Sequence, residues 1–302
     1  MIKSSLLLSF SFAPGMAPSA VLLLLLAGPG CAGAPQGSDA GPPGSVRVAG
    51  IVLKWVRGDK EANFRRAEPL IREAAARGAR IVVTTECFLD GYAIADKEMS
   101  REAFWPLGEP IPDGPYCKRL AALADELNIH LVAGMAEADG DERYNAAVVL
   151  GPDGALVGKY RKQKQGHEVR FNKPGAASLT HAVPGGPAGV MICADRTDAD
   201  IVRRYFENGA RYLLCPSGGM WGPVKNDPIV QARSRENGTW IVFVHPWEFL
   251  VTAPDGSIAR QTLLPIERPP GTENGADLAL RSDEIGGPQD VNRVFVFDVP
   301  VE

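Results

Sequence analysis

The stretch GVMICADRTDAD, residues 189–200, contains the change of pattern on which the fold reading turns. Gly189, Val190, Met191 and Ile192 form a short apolar run, as in a strand buried on both faces. The run ends on Cys193, and Asp195, Arg196, Asp198 and Asp200 follow at once. Taken alone, Cys193 reads as a core thiol, because free cysteine is among the most buried residue types. The alternative is a strand that ends by presenting a nucleophile to a polar site.

Working outward, strands and helices alternate. Val46–Val52 reads as a first strand, and Phe64, Ala67, Leu70, Ile71 and Ala74 recur at helical spacing between Asp59 and Gly78. Ala79–Glu86 is a second strand. Leu120, Leu123, Ala124 and Leu127 mark a helix, followed by the strand Ile129–Gly134. Tyr144–Leu150 and Ala155–Tyr160 flank Gly-Pro-Asp-Gly, a hairpin signature. The rhythm resumes with the strand ending at Cys193, a helix over about Ala199–Asn208, and the strand Arg211–Ser217. A helix over about Asp227–Asn237, the strand Thr239–His245, a turn at Pro254–Gly256 and a last strand, Arg293–Val299, follow. Pro265–Asn292 has weak periodicity and reads as a loop or extension. The pattern predicts an α/β fold with a mixed sheet.

The 302 residues are 45% hydrophobic and 23% charged, an ordinary globular mixture, and a net charge of −4 gives no reason to expect nucleic acid as a partner. Residues 1–34 have the layout of an export signal: Lys3, the apolar run Ala20–Gly28, then small residues such as Ala32, Gly33 and Ala34. Met16 is an alternative start. Cys31 offers a lipidation site on a poor match, so a membrane anchor is expected only if it is modified. Residues 35–45 read as a flexible tether and 46–302 as one domain, whose extension after about 257 is less defined. An exported, periplasmic or extracellular protein is the expectation. Cys87, Cys193 and Cys215 lie in or beside apolar runs, so no structural disulfide is expected. His130, His167, His181 and His245 lack metal-ligand spacing, which predicts no zinc site.

Glu86, Lys162 and Cys193 each end a strand-like run. A cysteine opening into a helix gains thiolate character from the helix N-terminus and a nearby cation. A glutamate beside it can take and return a proton, and a lysine can stabilise an oxyanion. Together they describe acyl transfer through a covalent thioester. Individually, Glu86 also reads as a solvated strand-end charge and Lys162 as one of a basic loop with Lys159, Arg161 and Lys164.

The stretches TECFLDGY, YNAAVVLGPDGALVGKYRK, HEVRFNKPG, GVMICADRTDAD, GARYLLCPSG and ARSRENGTW follow in the order and spacing of the nitrilase, or carbon–nitrogen hydrolase, superfamily. The chain resembles that superfamily over roughly Val46–Gly256. The resemblance implies a four-layer α-β-β-α sandwich, cofactor-free and metal-free hydrolysis of amides, and homodimers or higher homo-oligomers. It places Glu86 on the general base, Lys162 on the lysine, Cys193 on the nucleophile, and Glu168 on a second glutamate supporting the lysine and orienting substrate. The main-chain N–H of Ala194 would join Lys162 at the oxyanion. Three departures from the pattern stand out: Thr85 replaces proline, Lys164 replaces a histidine, and Ala194-Asp195 replaces the Trp-Glu of true nitrilases. Those last residues resemble the amidase and N-carbamoyl amino-acid hydrolase branches, and the small Ala194 is expected to widen the pocket. Tyr92, Met220 and Trp221 are candidate pocket residues. The expected substrate is a small amide or N-carbamoyl compound. A nitrilase, an acyltransferase and a catalytically silent scaffold are the alternatives.

Overall fold

A computed structural model describes residues 41–219, 221–264, 279–280, 282–287 and 290–301. The export signal, Cys31, most of the tether, and Met220 lie outside the described residues. Strand β1 (Ser45–Val52) follows Gly44 and alternates between two apolar layers: Val46, Val48 and Val52 face one, Ala49 and Ile51 the other. Gly50 is the point of closest approach, since a Cβ there would lie 2.4 Å from the Phe249 ring.

After β2 (Trp55–Val56), the Asp59 side chain accepts from the Ala62 N–H and caps α1 (Lys60–Ala76), which buries Phe64, Ala67, Ile71 and Ala74. Gly78, at φ +78°, turns the chain into β3 (Ile81–Val83). α2 (Arg101–Phe104), β4 (Glu109–Pro110) and α3 (Pro115–Leu127) precede β5 (His130–Asp139), β6 (Glu142–Leu150) and β7 (Leu156–Arg161). The second half runs through β8 (Thr180–His181), β9 (Ala188–Val190), α4 (Ala199–Glu207), β10 (Tyr212–Pro216), α5 (Pro223–Asn237) and β11 (Trp240–His245). It closes with β12 (Glu248–Thr252), β13 (Ile258–Leu263), β14 (Ala279–Leu280) and β15 (Arg293–Pro300).

Two sheets result. One has the order β15-β1-β3-β5-β6-β7, with β4 also paired to β5; the other has the order β13-β12-β11-β10-β9-β8. Each has a parallel centre, β1-β3-β5 or β9-β10-β11, with antiparallel strands outside it. The sheets meet through Val48, Val83, Val132 and Val149 on one side and Val242, Val244 and Phe249 on the other. α1 and α3 cover the outer face of the first sheet through Ile71, Leu120 and Leu123, and α4 and α5 cover the second through Ile201, Val202 and Val230. This is the four-layer α-β-β-α sandwich.

Several elements differ from the sequence reading, among them the strand expected to end at Cys193, which as β9 ends at Val190, and the strand expected over 129–134, which as β5 runs on to Asp139. The strand expected over 79–86 ends at Val83, because residues 84–86 leave the sheet and the Glu86 N–H donates across to the Ser217 carbonyl at 3.2 Å. The helix expected from about Asp227 begins at Pro223, with Gly222 as N-cap, and Pro228 sits inside it. Within the stretch read as loop, β14 pairs in parallel with β2. That short non-local pairing has no periodic signal. Cys87, Cys117, Cys193 and Cys215 are buried and unpaired.

Candidate active site

Several strand ends converge on one cavity of about 310 Å³ between the sheets' C-terminal ends. Its wall carries Lys162, Glu168, Cys193, Ala194, Tyr92 and Trp221, all expected from sequence. Glu86 lies immediately behind it.

Cys193 sits at φ +45° in a tight turn after β9, a left-handed conformation that costs an L-residue roughly 1–2 kcal/mol. Asp195 holds that turn. Its buried carboxylate accepts from the Ile192 N–H at 2.8 Å and the Tyr160 hydroxyl at 2.8 Å. It also accepts from the Lys164 N–H at 2.7 Å and the Gln163 N–H at 3.2 Å, the two residues after Lys162. One side chain therefore ties the turn bearing the cysteine to the segment bearing the lysine. Burial pushes the Asp195 carboxyl up to about 6, against these donors, which favour its ionised form.

Lys162 emerges from β7 and is 2% exposed, so its ammonium is stabilised only by protein groups. It donates to Glu86 Oε1 at 2.8 Å and to Glu168 Oε1. Burial opposes its charge, but Glu86, the Cys193 sulfur and Glu168 together hold its pKa well above the ordinary lysine value. Burial likewise disfavours charge on Glu168, yet Lys162 and the Gly166 N–H, at 2.7 Å, bring its pKa down to about 2. Asn145 on β6 donates to Glu86 Oε1 at 2.7 Å and reaches Glu168 Oε1 at 3.4 Å. So Oε1 of Glu86 is doubly tied. Its Oε2 is buried and accepts from no donor among the described residues, which leaves it the oxygen open to a proton.

Two consecutive glycines keep the carboxylate and the thiol accessible to each other. A Cβ on Gly218 would lie 3.2 Å from Glu86 Oε2, and one on Gly219 would lie 3.2 Å from Cys193 Sγ. Gly134 performs the same service behind Glu86: a Cβ there would collide with the Thr85 carbonyl at 2.5 Å. His245 anchors the glycine wall. Its Nδ1 accepts from the Trp247 N–H at 3.2 Å, so Nε2 carries the hydrogen donated to the Gly219 carbonyl at 2.6 Å. Burial pushes its pKa down to about 3, which keeps the ring neutral.

Arg196 was missed as a site residue. Its buried guanidinium donates to Cys193 Sγ at 3.5 Å and to Asn226 Oδ1, and it faces Trp221 and Phe243. No carboxylate lies within 4 Å of it among the described residues, and its Nε is buried without an acceptor. The crowding of charge after Cys193 was the available signal. Asn226 gave none, because the helix start was placed one residue beyond it. Lys164, in the histidine position, instead faces Asp198 at 3.7 Å.

A profile described as carbon-nitrogen hydrolase matches residues 47–263. The chain belongs to the carbon–nitrogen hydrolase family. That membership makes it a hydrolase of carbon–nitrogen bonds outside the peptide backbone, with amidases among its relatives. It is 34% identical over 174 residues to a nitrilase of Pyrococcus abyssi, covering 57% of this chain and 64% of that one, a little under two thirds. It is 31% identical over 215 residues to the human omega-amidase, covering 67% of this chain and 75% of the relative. Among solved structures, Saccharomyces cerevisiae Nit3, of the nitrilase superfamily, superimposes with a TM-score of 0.68 at 23% identity, covering 85% and 90% of the two chains. An amidase from Nesterenkonia sp., carrying the acetamide moiety of fluoroacetamide on its active-site cysteine, gives 0.67 at 18% identity, covering 86% and 92%. At these identities the structural likeness shows the shared fold of this carbon–nitrogen hydrolase.

Proposed function

We propose that this hydrolase cleaves small amides through a thioester on Cys193, with Glu86 as proton carrier and Lys162 as oxyanion support. The observation that carries the reading is the arrangement of Glu86: one oxygen is fixed by Lys162 and Asn145, and the other is unpartnered among the described residues and borders Gly218, whose neighbour Gly219 borders the Cys193 sulfur. Glu86 takes the thiol proton as sulfur attacks the carbonyl carbon and the C–S bond forms. Lys162 and the Ala194 N–H stabilise the oxyanion. The C–N bond then breaks, with Glu86 delivering its proton to the departing nitrogen as ammonia or amine. Glu86 next deprotonates a water that attacks the thioester; the C–S bond breaks, the acid leaves, and the thiol regains its proton. Glu168 keeps Lys162 charged and in place.

The substrate reading goes further. A buried guanidinium with no carboxylate partner among the described residues, set beside the thiol, favours an amide whose acyl chain ends in a carboxylate. The omega-amidase relatives support the same class. N-carbamoyl amino acids share the feature. The Pyrococcus relative's name keeps nitriles in the comparison, against which the Ala194-Asp195 pair weighs.

The test is ammonia release by residues 45–302 from dicarboxylic acid monoamides, matching amides without the carboxylate, N-carbamoyl amino acids and nitriles. Turnover of the carboxylated amides is expected to lead. Arg196→Lys is expected to raise KM for them about 10–100-fold, from loss of planar bidentate geometry, with a smaller change for neutral amides. Equal losses on both series would contradict the carboxylate reading, and preferred turnover of nitriles would overturn the amide reading.

A further inference from the structure

A second group of acids lies beside the cavity wall but outside it. Asp227 follows Asn226 in the first turns of α5, and Glu248, fully buried, opens β12. A single amide nitrogen serves both. Gln261 Nε2, on β13, donates to Asp227 Oδ2 at 2.6 Å and to Glu248 Oε1 at 2.8 Å. The other two oxygens, Asp227 Oδ1 and Glu248 Oε2, are buried and accept from no donor among the described residues. One amide nitrogen thus holds both carboxyl groups close together, and two neighbouring carboxyls with buried, unpartnered oxygens favour keeping a proton on one of them.

We propose that Asp227 and Glu248 share one proton, and that this proton seats the first turns of α5 on β12 and so positions Asn226 and Arg196 beside Cys193. Asn226 is the connecting piece. Its Oδ1 accepts from Arg196, and its Nδ2 donates to the Trp221 carbonyl at 2.7 Å, so it links the acid pair's helix to two parts of the cavity wall. Asp227 and Glu248 are positioning residues and touch no reacting atom.

The groups facing the pair are few. Gln261 comes from β13, Arg196 from the Cys193 turn, and His245 stands opposite Glu248 on β11, neutral as argued above. Burial pushes Glu248 up to about 8, aided by the charge of Asp227 and opposed by Gln261 and by Arg196. Burial raises Asp227 too. A carboxyl raised in the folded state adds stability that is fully present below its unfolded value of 4.5 and is lost as pH rises through about 8. Above that point two negative charges face each other. Asp227 is only half-buried, so the cheaper response is for its turn to lift toward solvent, drawing Asn226 off Arg196.

The test compares wild type with Glu248→Gln and Asp227→Asn between about pH 6 and 9.5. Each variant replaces a titrating acid by an amide that still donates to its neighbour. Two readouts are taken: thermal melting, and alkylation of Cys193 by chloroacetamide followed by peptide mass spectrometry. Neither needs turnover, so the result stands apart from the substrate reading. Wild type is expected to lose melting temperature relative to both variants as pH rises from about 6 to about 8, and to run level with them above that. Its Cys193 alkylation relative to theirs should fall about threefold or more by pH 9, as Arg196 leaves the sulfur. Parallel melting curves would overturn the shared proton. Diverging melting with an unchanged alkylation ratio would overturn the link to Arg196. If one variant fails to fold, the other gives the same two answers.

Discussion

Changing Cys193 to Ala is expected to lower amide turnover by about 10⁴-fold or more, because no other thiol borders the cavity among the described residues. Glu86→Gln should cost about 10³-fold: the amide keeps the shape and the Oε1 contacts but cannot carry a proton at the Oε2 position. Stability should move little in either case. The Cys193→Ala variant relaxes a left-handed residue only slightly, since alanine is no better suited to φ +45°. Steady-state kinetics together with denaturant unfolding check both halves. The Glu86→Gln double change with Cys193→Ala should lose no more than Cys193→Ala alone, because the two act on one step.

The second large effect is expected at Asp195, which never meets substrate. Asp195→Ala strips the acceptor from three backbone N–H groups and the Tyr160 hydroxyl, two of these bonds buried and two part-buried. Unsatisfied buried donors cost about 1–3 kcal/mol each where water cannot reach them. After partial relaxation a net loss of about 3–5 kcal/mol is reasonable, read by urea unfolding. Turnover should fall about 10²–10³-fold even in molecules that remain folded, since the turn carrying Cys193 and the segment carrying Lys162 lose their shared anchor. Asp195→Asn should recover much of the stability, as its amide oxygen keeps two of the four bonds. Burial holds the Asp195 carboxyl near 6, so wild-type turnover should also decline below about pH 6, when protonation removes acceptor capacity from the anchor. Asp195→Asn should lack that acid limb.

The sequence exposed the fold where local pattern and burial coincide. Phe64, Ala67, Ile71 and Ala74 predicted α1 because a helix with one buried face must repeat near every third or fourth residue, and Asp59 and Gly78 mark its ends by capping chemistry. The Gly151–Gly154 turn predicted the β6–β7 hairpin for an equally local reason. What escaped depends on distant partners. Residues 84–86 look like strand, yet Glu86 is drawn across to Ser217 on the other sheet, a contact with no trace in the residues around it. The β14–β2 pair is similar, two residues on each side brought together by the rest of the fold.

The site divides along the same line. Glu86, Lys162, Cys193 and Glu168 were legible because reactive residue types stood at the ends of apolar runs and in a familiar order. Asn145 was hidden inside the apolar YNAAVVL run, although a polar residue buried there has to bond to something. Asp195 and Arg196 were visible only as charge. Both are buried in the turn that opens at the positive-φ Cys193, Asp195 anchoring it and Arg196 facing the cavity. Glu248, Asp227 and Gln261 come from three separate elements, so no local pattern announces them.

The measurement that bears most directly on the central claim is peptide mass spectrometry of the protein quenched during turnover of an amide it hydrolyses. The account predicts that the peptide containing Cys193 gains the mass of the acyl group and loses it again as ammonia accumulates. Cys87, Cys117 and Cys215, buried and absent from the cavity wall, should stay unmodified. The adduct should persist longer in Glu86→Gln, where activation of water is impaired, and be absent in Cys193→Ala. Ammonia release at an undiminished rate by Cys193→Ala, or turnover with the acyl mass on another residue, would contradict it.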